Sequence, residues 1–165
     1  MTFVTEDAAE FALAVGQGKR LAALDIGTKT IGLATSSTAP DFAASFATAR
    51  EILHRTRPKT DMEALRAWFA QEKIAGLVVG LPRNMDGSDS QRTQSVRAQA
   101  RNLAREAELP VLLWDERWST AAVERALIAA DVSRAKRAER IDALAAAHIL
   151  EGALNRLART GPGSY

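Results

Sequence analysis

Two apolar runs, Leu21–Ile26 and Ile31–Thr35, are separated by only four residues, Gly27-Thr28-Lys29-Thr30. A gap that short has no room for a crossover, so the runs read as an antiparallel hairpin around a polar, phosphate-sized turn. A weaker third strand is expected over Ser45–Ala49. Gly76–Leu81 (GLVVGL) and Pro110–Asp115 (PVLLWD) are short and continuously apolar, the mark of strands covered on both faces. A helical stretch precedes each of them. The first runs from Thr60 to about Lys73, opens on a Thr60-to-Glu63 capping box, and presents Met62, Leu65, Trp68 and Phe69 on one face. The second is amphipathic, ends near Glu108, and has Ser88 or Ser90 as its cap. Further helices are expected over about Thr120–Ala130 and about Arg140–Ala158. A hairpin followed by alternating strands and helices predicts an α/β domain, a mixed sheet flanked by helices on both faces.

A chain of 165 residues suits one domain. Residues 1–18 read as a leader, with a short helix over Asp7–Val15 closed by Gly16 and Gly18. Residues 19–160 form the domain, and Gly161–Tyr165 (GPGSY) a frayed tail. Cysteine is absent, which excludes disulfides, thiolate catalysis and Cys-based zinc sites. Two histidines, His54 and His148, are too few for a His-rich metal centre. Twenty-two Lys and Arg oppose 20 Asp and Glu, a net charge of +2, so binding of a polyanion would need cations clustered locally. Such clusters occur at His54–Lys59 (HRTRPK) and Ser133–Arg140 (SRAKRAER). No apolar run reaches the roughly 18 residues of a membrane span. The first residues are acidic before they are apolar, unlike a signal peptide. No membrane partner and a cytoplasmic location are the resulting expectations.

The acids carry the chemistry. Asp25 ends an apolar strand, where a charge is costly unless exposed or paired. Asp115 and Glu116 end the strand that begins at Val111, and successive strand residues point to opposite faces, so only one can share Asp25's side. Asp142 shares a helix face with Ala145, Ala146 and Ile149, side chains small enough to let a helix lie close to a sheet. Three converging carboxylates repel one another, and hard divalent cations relieve that repulsion. Two such ions can activate water and stabilise the leaving oxygen in phosphodiester cleavage. The plainer alternatives are a turn role for Asp25, a helix cap for Asp115 or Glu116, and a surface pair of Asp142 with Arg137 or Arg140.

Four segments in this order, LDIGTKTIGLATSS (Leu24–Ser37), VVGLPRNMDGS (Val78–Ser88), DERWST (Asp115–Thr120) and the basic stretch leading into IDALAAAHILE (Ile141–Glu151), resemble the YqgF/RuvX family of pre-16S rRNA nucleases, kin of the RuvC-type Holliday junction resolvases. The resemblance spans about Arg20 to Leu157. It implies a ribonuclease H-like fold with a five-stranded mixed sheet. It also implies a nuclease dependent on Mg²⁺ or Mn²⁺ that trims the 5′ end of pre-16S rRNA in ribosome biogenesis, with a ribosome precursor as partner and branched DNA as the alternative substrate. Position by position, it assigns Asp25, Glu116 and Asp142 as catalytic and metal-ligating residues. The sequence departs from the family at Thr30, where a second basic residue is usual, at Ser37, where an acid is frequent, and at Trp118, where a smaller apolar residue is usual.

Candidate nucleic-acid contacts are Lys29 in the turn, Arg83 and Asn84 just beyond a strand end, Arg117 beside Glu116, and Lys136 and Arg137 in a basic arm leading to Asp142. Trp68, Phe69 and Trp114 are expected in the core, His148 in the core or at its rim, and Trp118 is the aromatic available to stack a base. Two other function classes compete. Asp-Ile-Gly-Thr-Lys-Thr-Ile-Gly also resembles the phosphate loop of sugar kinases and actin-like ATPases, which close two lobes over a nucleotide where this chain has one. A non-catalytic nucleic-acid-binding module is the other. The expected assembly state is a monomer or a homodimer.

Overall fold

The computed structural model describes residues 3–117 and 134–160, with backbone only for 134–140. One sheet holds six strands: β1 (Val4–Thr5), β2 (Arg20–Ile26), β3 (Thr30–Ser36), β4 (Ala47–His54), β5 (Ile74–Leu81) and β6 (Val111–Asp115), in the spatial order β1-β6-β5-β2-β3-β4. The β2–β3–β4 meander is antiparallel, while β2–β5, β5–β6 and β1–β6 are parallel. Four helices are described: α1 (Ala8–Val15), α2 (Pro58–Gln71), α3 (Gln91–Ala107) and α4 (Arg134–Ala158).

The sheet therefore has one strand more than the five expected. Val4 and Thr5 add a short parallel edge to Val111 and Leu112. Asp7 then caps α1 by accepting from the backbone of Ala9 and Glu10, which satisfies two of the helix's orphan donors. Phe11 of α1 is fully buried and anchors this segment to the domain.

Local chemistry explains three further differences. Helix α2 starts at Pro58, not Thr60, because proline at the first helical position has its φ preset and lacks an N–H that would go unpaired there anyway. Thr60 and Glu63 thus lie inside the helix and form no capping box. Asp61 instead accepts from the backbone N–H and hydroxyl of Thr56, at 3.0 and 2.9 Å. Strand β4 runs on to His54, past the expected end at Ala49. It is an edge strand whose outward charges mask its pattern: Arg50 pairs with Glu72, and Trp68 donates to Glu51. The basic stretch is helical from Arg134 onward and is no flexible arm, because Ala, Arg, Lys and Glu without Gly or Pro favour helix. The helix expected over Thr120–Ala130 lies outside the described residues.

Each sheet face has its own core. Leu24, Ile26, Ile31 and Leu33 pack on Leu65 and Phe69 of α2 and on Val96 and Leu103 of α3. Leu21, Ala23, Val78 and Leu112 pack on Ile149, Leu150 and Leu154 of α4 and on Phe11 of α1. Each fully buried Leu, Ile or Phe contributes roughly 1.5–3 kcal/mol. Strand β3 meets α4 at Gly32, where a Cβ would collide with the Asp142 carbonyl. That glycine sets how closely α4 approaches the strand ends.

Candidate functional site

Side-chain alternation aims the acids. Asp25 follows Leu21 and Ala23 on the α4 face of the sheet and is paired in register with Gly32. Along β6, Leu112 and Trp114 face α4, and Glu116 continues that row. Trp114 pairs in register with Gly80, and the Glu116 N–H donates to the Leu81 carbonyl at 3.3 Å. The space a side chain at residue 80 would fill is taken by the Glu116 carboxylate and by Ile149. Gly80 thus gives Glu116 room to reach Asp25 across β5. A glycine interrupting an otherwise apolar strand is the sequence signal for such a close approach.

Crowding two carboxyls in a half-buried cleft changes their acidity. Glu116 is pushed up to about 8, first by burial, then by the charge of Asp25 and the hydrogen bond to it. Asp25 is pushed up to about 6 by burial and by the charge of Asp142, against the lowering effects of the Glu116 hydrogen bond and of Arg92. Burial and mutual repulsion raise both members of the pair, so together they keep protons to higher pH than isolated carboxyls do. Arg92 donates to the Ile26 carbonyl, from where its charge offsets part of the repulsion.

Asp142 sits in the third turn of α4, because that helix begins at Arg134 and not at Arg140. Its carboxylate accepts a hydrogen bond from the Thr30 hydroxyl. The residue that departs from the family's second basic position is therefore a hydrogen-bond donor to an acid of the site. Arg55 braces the turn between β2 and β3, with its side chain on the Gly27 carbonyl at 2.5 Å and its backbone N–H on the Lys29 carbonyl at 2.8 Å. The sequence reading missed Thr30, Arg55, Arg92 and Gly80 as parts of the site. Only Gly80 carried a local signal.

Asp115 faces the other way. Arg117 holds it with its backbone N–H at 3.1 Å, with Nε at 2.9 Å, and with an ion pair at 2.7 Å. Burial alone would raise its pKa, but the Arg117 hydrogen bonds and charge prevail and lower it.

The proposed nucleic-acid contacts scatter. Lys29 is exposed at the turn. Asn84 is exposed but occupied, with its backbone and side-chain N–H groups on Ser88. Arg83 and Arg117 are not open cations. Arg83 pairs with Glu6 and lies 3.7 Å from Asp89 and 3.6 Å from Asp115, while Arg117 holds Asp115 and the Met85 carbonyl. Lys136 and Arg137 lie on the α4 backbone, with side chains outside the described residues, as is all of Trp118. His148 is exposed on α4. Phe69 is core, and Trp68 and Trp114 are partly buried against it or against α4.

The donor set is all oxygen, which suits a hard divalent cation and no soft one. Two carboxyls driven to keep protons are the state that a cation would replace. Among the described residues, no three Asp, Glu or His side chains are grouped to hold an ion as they stand.

Similarity to known proteins identifies the family and the fold. Residues 19–156 match the family described as RuvX, Holliday junction resolvase. A protein of Sphingopyxis alaskensis is 61% identical over 156 residues, which cover 94% of this chain and 99% of its own. One of Novosphingobium aromaticivorans is 52% identical over 155 residues, covering 94% and 97%. Both carry the provisional name pre-16S rRNA nuclease. Among solved structures, T. thermophilus RuvC in complex with a Holliday junction substrate superposes with a TM-score of 0.55 at 17% identity, covering 84% of this chain and 96% of that one. The fold is thus ribonuclease H-like.

Proposed function

Because the chain belongs to the RuvX family of Holliday junction resolvases, we propose that it is a metal-dependent nuclease that hydrolyses phosphodiester bonds in structured nucleic acid. The favoured substrate is the 5′ end of pre-16S rRNA, the activity for which its relatives are named. Residues 19–160 are the nuclease domain. A precursor of the ribosome is the partner this substrate implies, and the cytoplasm the place where it is met.

The observation that carries the reading is the Asp25–Glu116 pair, two carboxyls from the ends of parallel-linked strands forced together until one keeps a proton near neutral pH. Such an arrangement costs stability, and structural roles rarely call for it. Asp25 and Glu116, once deprotonated, would hold Mg²⁺ or Mn²⁺, with Asp142 as the third acid. When bound, such ions supply Lewis acidity and an activated water for attack on phosphorus.

The rest belongs to the chain itself. Thr30 fixes the rotamer of Asp142. Arg92 tempers the acidic cluster without entering it. Gly32 and Gly80 keep side chains out of the space between sheet and α4. Lys29, exposed on the turn beside Asp25, offers a cation to a backbone phosphate.

The test is cleavage of a 5′-extended pre-16S rRNA fragment and of a four-way DNA junction in Mg²⁺ or Mn²⁺. Rapid cutting of the RNA, lost in Asp25→Asn and Glu116→Gln, is the expected result. Preferential cutting of the junction moves the substrate to branched DNA. Wild-type cleavage by Asp25→Asn overturns the site assignment.

A further inference from the structure

The arginines expected to grip substrate are already gripping an anion that belongs to this chain. Arg83, at the end of β5, and Arg97, on the second turn of α3, converge on the carboxylate of Glu6. Glu6 follows directly on β1, whose pairing with β6 delivers it there. Arg83 meets one Glu6 oxygen through Nη2, and Arg97 Nη1 lies 3.5 Å from the other.

The two guanidinium groups are held for this task by other acids. Asp89 takes Arg97 through Nε at 3.0 Å and Nη2 at 3.4 Å. Arg83 has longer contacts with Asp89 and Asp115, at 3.7 and 3.6 Å. Its Nε is buried and makes no hydrogen bond among the described residues, so its donor capacity is only partly used. Both side chains are about four-fifths buried, whereas that of Glu6 is 45% exposed. Two nearly fixed forks around one exposed, displaceable carboxylate have the form of an oxyanion site filled by a stand-in.

We propose that Arg83 and Arg97 form a subsite for a backbone phosphate of the nucleic acid, which Glu6 fills until substrate displaces it. This rests on the nuclease reading above and adds to it a cation, Arg97, and a competitor, Glu6. The subsite lies on the Asp115 side of the end of β6, on the face opposite the Asp25–Glu116 pair, so it would hold a phosphate of the bound strand other than the one that reacts. Glu6 lowers affinity for any strand that fails to displace it, and so raises the threshold for binding short or poorly matched nucleic acid.

The experiment needs no cleavage. A fluorescein-labelled stem-loop RNA is titrated in EDTA, over a salt series, with the full-length protein and with Glu6→Gln. Glu6→Gln is expected to bind roughly threefold to tenfold tighter at low salt. Its log–log salt slope should steepen by about 0.7–0.9, one phosphate's worth. Adding Arg83→Gln should abolish both gains. Glu106→Gln makes the same change in net charge nine residues further along α3, about 14 Å along the helix axis from Arg97, and should leave affinity within about twofold. Equal tightening by Glu106→Gln, or tightening that survives Arg83→Gln, reduces the effect to net charge and overturns the subsite. No tightening by Glu6→Gln overturns it as well, while leaving the carboxylate site standing. Absence of RNA binding by every protein in the series overturns both readings.

Discussion

Asp115 and Glu116 are neighbours in sequence with opposite electrostatic fates. Asp115 turns toward α3 and is embraced by guanidinium groups that keep it ionised. Glu116 turns toward α4, meets Asp25, and is pushed up to about 8. The Cα positions of successive residues lie only about 3.8 Å apart, so neither position along the chain nor residue type explains the difference. Strand alternation does: one carboxylate is neutralised by neighbouring arginines, and the other is set against a second carboxylate.

Exchanging the two roles is the severest test. Glu116→Gln should lower cleavage by more than about 100-fold, since the proposed site makes Glu116 a metal ligand and not merely a supporting partner. Asp115→Asn should keep cleavage within about tenfold of wild type and instead cost roughly 1–3 kcal/mol in denaturant unfolding, because it weakens the hold on Arg117 and Arg83. If the two variants lose activity equally, the contrast between the two faces has no catalytic meaning.

Gly80→Ala probes the room that Glu116 needs. Its Cβ would meet both the Glu116 carboxylate and Ile149. Overpacking of this kind costs about 1–3 kcal/mol, readable as a lower denaturant midpoint, and cleavage should fall with it. A variant of wild-type stability and activity would show that Glu116 does not depend on that space.

Acidity gives a signed prediction. Asp25 and Glu116 have folded-state values of about 6 and about 8, above their ordinary 3.8 and 4.5. The folded protein therefore holds more protons than the unfolded chain between about pH 4 and pH 8, and without metal its stability should fall as pH rises across that window. Asp115 behaves oppositely: its lowered value contributes stability above the ordinary carboxylate range that is lost as pH falls through its folded value. Mn²⁺ should raise the melting temperature more at pH 8 than at pH 5, where protons compete for the same oxygens. A shift independent of pH would separate cation binding from this pair.

The smallest expected effect lies at Thr30. Thr30→Val removes the donor to Asp142 and should slow cleavage about tenfold, while Thr30→Ser restores it. Equal rates in all three proteins would leave Thr30 a turn residue only.

Much of this molecule was legible before any coordinates. The hairpin around Gly27–Thr30, the two buried strands and their helices announced an α/β sheet, because periodicity is written over a few adjacent residues. Edge elements were less visible: β4 is longer than its charges suggest, and two residues of β1 are too few to signal a strand. The start of α4 was misjudged because a run of basic residues looks the same in an arm and in a helix. What the sequence settled alone is that Asp25 ends a core strand, that one of Asp115 and Glu116 joins it, and that a small-residue helix face carries Asp142. Strand alternation alone left Asp115 and Glu116 open and the family resemblance named Glu116; only the tertiary structure decided that Glu116 hydrogen-bonds Asp25, that Thr30 holds Asp142 across 112 residues of chain, and that Glu6 occupies Arg83 across 77. Charges and hydrogen-bond partners are chosen by proximity in space, and the chain's order leaves that proximity unwritten until the sheet and α4 close upon each other.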